Sequence, residues 1–97
     1  MNREQYLLLK LIEELGEAAK NAAKAMQFGG EDKEPGQGLT NFDRLYLELD
    51  DVRASIAMLH MESGSKFNYS PNATNIEHKI TKVEHYYGVS QELGKVK

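Results

Sequence analysis

The sequence contains no cysteine and no tryptophan among its 97 residues, so disulfides and thiolate metal sites are excluded. It holds no apolar run long enough to span a bilayer, and no signal-peptide pattern of basic head, apolar middle and small-residue cleavage site. A soluble, cytoplasmic protein without a membrane partner is expected. No stretch of four or more Lys/Arg occurs and the net charge is −3, which argues against a nucleic acid polymer as partner. Strand-like alternation of apolar and polar residues is missing too, as is any internal repeat. What is present is helical spacing.

A chain of this length makes one small domain, residues 1–97, that buries only about two-thirds of its unfolded surface. Self-association is therefore expected. From about Arg3 to Phe28, Leu8, Leu11, Ile12, Leu15, Ala18, Ala19, Ala22, Ala23 and Met26 fall within roughly 140° of arc, which predicts a helix with a core-facing stripe. Gly29-Gly30 ends it, and the segment from Gly29 to Leu39 reads as a flexible glycine-rich loop, either a glycine-hinged lid over substrate or a disordered connection. Thr40 or Asn41 offers an N-cap, with Asp43 in the first turn, for a second helix to about Glu62. Ser70-Pro71 suits a third helix start, running to about Tyr87 before Gly88, and "VSQELGKVK" is left as a tail or a short further turn. The spacing predicts an all-α antiparallel bundle of three main helices, its core completed by a partner subunit.

On the first helix Glu13, Glu17, Lys20 and Lys24 form one row opposite the apolar stripe, and Glu14 lies about 60° aside from Glu17. Such a row is also what a solvated face with Glu-to-Lys pairs looks like. The second helix bears two apolar stripes, Leu45, Leu49, Val52, Ile56 and Leu59 on one side, Leu47, Ala54, Met58 and Met61 on the other. Glu48, Asp51, Ser55 and Glu62 lie on one flank between them, while Asp50 and Arg53 project to the other. Carboxylates between two buried faces require a cation or donors, because an unpaired buried charge is costly. Oxygen ligands without cysteine or histidine suit Mg²⁺, with Mn²⁺ as a substitute. The Glu-x-x-His pairs of di-iron bundles and the EF-hand loop pattern are both missing.

"EELGE" (Glu13, Glu14, Glu17) followed by "ELDD" (Glu48, Asp51) resembles the EExxE…ExxD signature of the MazG-like all-α nucleoside triphosphate pyrophosphohydrolases. "KAMQFG", "NFDRLYLELDDV" and "KITKVEHYYGVSQELGKV" are similar in kind and order to small single-domain members, including phage-encoded ones. The connection between Glu17 and Glu48 is longer than the family pattern. The resemblance implies Mg²⁺-dependent hydrolysis of a nucleoside triphosphate, dNTPs foremost, to the monophosphate and pyrophosphate by a homodimer or homotetramer. It also implies that Glu13, Glu14, Glu17, Glu48 and Asp51 are the catalytic and metal-binding acids.

Lys79, Lys82 and Tyr86 share a sector of the third helix beside Ile76, Ile80, Val83 and Tyr87, placed to meet substrate phosphates or simply to face solvent. Lys24 is a further phosphate candidate, and Asn41 is a helix cap or a nucleotide contact. Phe28, Phe42 and Tyr46 are core residues or base-stacking surfaces. His60, His78 and His85 lack metal-ligand company. The alternative function is a non-enzymatic helical interaction protein whose acids only pair with lysines.

Overall fold

The computed structural model describes all 97 residues. Its regular elements are three helices, α1 (Arg3–Phe28), α2 (Asn41–Met61) and α3 (Ala73–Glu92). No strand forms, and an isolated antiparallel bridge joins Lys33 to Thr40. The expected all-α class is observed.

Local chemistry explains where the helices start and stop. Asn2 opens α1 in a reciprocal capping box with Gln5. Thr40 opens α2 in the same way: its hydroxyl accepts from the Asp43 N–H at 3.0 Å, and the Asp43 carboxylate accepts from the Thr40 N–H at 3.2 Å. Asn41 thus becomes the first helical residue, and its buried side chain donates to the Gly29 carbonyl at 3.0 Å. That bond ties the end of α1 to the start of α2. Helix α3 starts later and ends later than the spacing predicts. Asn72, not Ser70, is its cap, accepting from the Asn75 N–H at 2.9 Å, since Asn and Ser cap about equally well. Gly88 lies inside the helix, which stops where Gly94 takes φ 73°. There the Gly94 N–H reaches the Gln91 carbonyl and the Lys95 N–H the Ser90 carbonyl, the paired bonds of a Schellman stop.

The segment between α1 and α2 folds back on itself. The Asp32 N–H bonds to the Gly29 carbonyl, Asn41 to Asp32, and Phe42 to Gly30, so the connection is a series of hydrogen-bonded turns. Phe42 lies so close over Gly30 that a Cβ there would fall inside its ring. Gly30→Ala is therefore expected to cost about 1–3 kcal/mol through overpacking. Thermal denaturation measures it; an unchanged midpoint would mean that the ring moves aside freely.

Helices α1 and α2 pack as an antiparallel hairpin along a narrow seam. The seam is lined on α1 by the buried or half-buried Leu7, Leu11, Glu14, Ala18, Asn21 and Ala25 and on α2 by Asn41, Leu45, Glu48, Val52, Ser55 and Leu59, with Glu4, Lys10, Lys24, Arg44 and Ile56 half-buried beside them. Both sets step by alternating fours and threes, the spacing of helices that cross at a shallow angle. Leu7 and Leu59 are fully buried. The seam is rotated by about 90° from the centre of the α1 apolar stripe, sharing only Leu11 and Ala18 with it. Ile12, Leu15 and Met26 of that stripe stay 65%, 51% and 80% exposed. The stripe expected to face the core is thus open within one chain, and so is the second α2 stripe of Leu47, Met58 and Met61.

Helix α3 packs against neither partner and buries no residue. Ile76, Ile80, Val83 and Tyr87 all face outward. The chain exposes 7729 Å², about 2,000 Å² more than a compact monomer of its mass.

A carboxylate cluster and a mixed-charge concavity on the hairpin

The polar seam residues differ in how their groups are satisfied. Asn21 donates to the Glu17 carbonyl at 3.2 Å, Ser55 to the Asp51 carbonyl at 3.2 Å, and Asn41 to Gly29 as above. Glu48 has no such outlet. Its Oε2 is buried with no hydrogen-bond partner, although buried polar atoms are normally paired.

What faces Glu48 is more negative charge. One oxygen each of Glu14, Glu48 and Asp51 lies within 4.8 Å of the others. Helix register brings them together, because Asp51 follows Glu48 by three residues on α2 and Glu14 stands across the seam on α1. Burial, then the hydrogen bond that only a protonated carboxyl can share with Glu14 and the charge of Glu14, then the charges of Asp51 and Glu17, push the Glu48 carboxyl above its ordinary pKa. Glu17 is therefore close enough to be felt and borders the trio. Glu13 is not part of it: exposed and about 100° around the helix from Glu14, it pairs with Lys10 at 3.1 Å.

The donor set suits a hard divalent cation. Three carboxylates at shared reach, one carrying a buried unpaired oxygen, could hold a divalent cation such as Mg²⁺. Histidine plays no part, since His60 stacks edge-on against Phe67 and His85 against Tyr86. Glu14→Gln is expected to weaken Mg²⁺ binding at least about tenfold, and Glu13→Gln to change it much less. Calorimetric titration of both variants separates the two acids; equal losses would contradict the geometry.

A concavity of about 220 Å³ lies at the loop end of the hairpin, lined by Lys24, Phe28, Asp32, Lys33, Glu34, Pro35 and Asn41. Two of the substrate candidates, Lys24 and Asn41, meet there. Lys79, Lys82 and Tyr86 do not: they line a shallow surface with Val83, Tyr87 and Ser90 on α3 itself, away from the acids of their own chain. Arg44 was not among the sequence candidates, yet its guanidinium sits at this end, 2.8 Å from Glu34. Its register one turn before Glu48 was the available signal. Phe42 stacks on Tyr46 with centroids 6.1 Å apart, whereas Phe28 is exposed at the rim.

Comparison with known proteins adds nothing to this geometry. The chain matches no family model, no curated protein and no solved structure. No helix is long and apolar enough to cross a membrane.

Proposed function

We propose that this protein is a MazG-like, Mg²⁺-dependent nucleoside triphosphate pyrophosphohydrolase acting on dNTPs. The observation that carries the reading is the orphaned Glu48 oxygen inside the Glu14, Glu48 and Asp51 cluster. A chain that placed acids on a helix only for solubility has no reason to bury one between two others. These three residues supply oxygen ligands, and Glu17 borders them as the fourth acid. Bound Mg²⁺, with Mn²⁺ as a substitute, supplies charge neutralisation for the phosphates and a lowered pKa for water. Water adds across the anhydride between the α and β phosphates, that bond breaks, and the monophosphate and pyrophosphate leave with release of a proton. The side chains contribute positioning and fixed charge, which carry most of catalysis in phosphoryl chemistry.

Assembly into a homodimer or homotetramer belongs to the same proposal. The exposed apolar residues of α1, α2 and α3 are surface that such an interface would cover. Packing of α3 onto a hairpin in such an assembly would bring Lys79, Lys82 and Tyr86 to the phosphates. A purely interaction-based role accounts for the open faces but leaves Glu48 unexplained. The test is incubation of the folded protein with each dNTP and Mg²⁺, reading pyrophosphate. Release that EDTA abolishes is the expected result; no release with any nucleotide overturns the reading.

A further inference from the structure

Glu34 joins the two helices through their cations. Its Oε2 lies 2.8 Å from Arg44 of α2 and its Oε1 lies 3.7 Å from Lys24 of α1. One oxygen on each cation is how a bridging phosphate would also be held. The two cations are only 25–27% exposed in their side chains, and Lys24, Glu34, Lys33 and Asn41 line the same concavity.

The pair stands on the acidic side of the hairpin. Arg44 precedes Glu48 by one helical turn, and Lys24 follows Glu17 by two turns. We propose that Lys24 and Arg44 form a phosphate-binding site for an oligophosphate, and that Glu34 is its built-in competitor, filling the site in the free protein and leaving it when the ligand arrives. The inference rests on the enzymatic reading for the ligand's identity as a triphosphate chain; the anion site itself stands on the ion pairs.

Glu34 is carried by the short turn that its carbonyl closes with the Gln37 N–H at 2.9 Å. Its half-exposed side chain can swing off the cations, while the Asn41 and Phe42 bonds to the end of α1 hold the base of the connection. A tethered competitor lowers apparent affinity by the fraction of molecules in which it occupies the site. The Glu34 pairs are partly exposed, so that fraction is set by an interaction of modest strength.

Calorimetric titration with inorganic tripolyphosphate, in EDTA and without nucleotide, tests the site apart from catalysis. Glu34→Gln is expected to tighten binding about three- to tenfold, and Arg44→Gln and Lys24→Met to weaken it. Glu31→Gln makes the same charge change on the same segment but touches neither cation, and is expected to leave affinity near wild type. Equal tightening by Glu31→Gln and Glu34→Gln, unchanged or weaker binding by Glu34→Gln, or no measurable binding by either protein overturns the inference. Tightening without any dNTP hydrolysis keeps the anion site and removes the enzyme. Hydrolysis without tightening overturns the inference and leaves the enzymatic reading standing.

Discussion

Glu48→Gln is expected to raise the thermal midpoint of the metal-free protein at neutral pH, erase its response to Mg²⁺ and cut pyrophosphate release at least about 100-fold. All three effects have one cause. In the wild type the Glu48 carboxyl is held above its ordinary pKa by burial and by Glu14, Asp51 and Glu17. The folded state thus binds a proton more tightly than the unfolded chain, and the stability this contributes is present below the unfolded carboxyl pKa. It is lost as pH rises through the raised folded value. Glutamine keeps the shape, offers an N–H₂ to the facing carboxylates, and does not titrate. Metal-free wild type should therefore lose stability as pH rises through the mildly acidic range, and the variant should lose less.

On the proposed reading, magnesium opposes that loss in the wild type. At about ten times its dissociation constant a ligand contributes about 1.4 kcal/mol, which raises the midpoint of a domain this size by about 5–10 °C. The variant has lost a ligand and should show little of this shift. Glu34 acts in a different window: Arg44 and then Lys24 hold its carboxyl below the usual range. Its contribution is present above the unfolded carboxyl pKa and lost as pH falls through the lowered folded value.

The second large effect concerns assembly. The proposed homo-oligomer predicts that Ile80→Asp on α3 leaves the protein monomeric and lowers its midpoint steeply, read by sedimentation velocity and thermal denaturation. Ile80 is 58% exposed in one chain; at a free surface the substitution would stay within about 0.5 kcal/mol. In a subunit interface it would bury an unpaired carboxylate at a cost of several kcal/mol. The wild-type midpoint should also rise with protein concentration. A wild-type monomer whose stability ignores both concentration and Ile80→Asp would contradict the assembly.

Helix class and the main boundaries were legible because they are local. Gly29 stops α1, and the Thr40–Asp43 box starts α2, through bonds within a few residues. The extension of α3 through Gly88 was less visible, since its stop depends on the φ of Gly94 and the two bonds that close around it. The seam was hidden for a different reason. Glu14, Asn21, Glu48 and Ser55 occupy inward positions, and polar residues at helical spacing ordinarily mark an outward face. By sequence the richer apolar sector of α1 therefore reads as the core-facing one, although within a chain it is the open one.

The acids show the same division. Their types and spacing named the set, but choosing Glu14 over its neighbour Glu13 required knowing how α1 is rotated against α2. Arg44 needed the path of the connecting segment, because Glu34 reaches it across ten residues. Residue order alone does not place Lys79, Lys82 and Tyr86 either. Their helix touches no other element of its chain, so their surroundings depend on assembly.

Diffraction from a crystal soaked in Mn²⁺, recorded to give an anomalous difference map, tests the central reading most directly. The expected result is a peak bounded by Glu14, Glu48 and Asp51, lost in Glu48→Gln. A well-ordered wild-type crystal with no peak there, and those carboxylates turned outward to solvent, would contradict it.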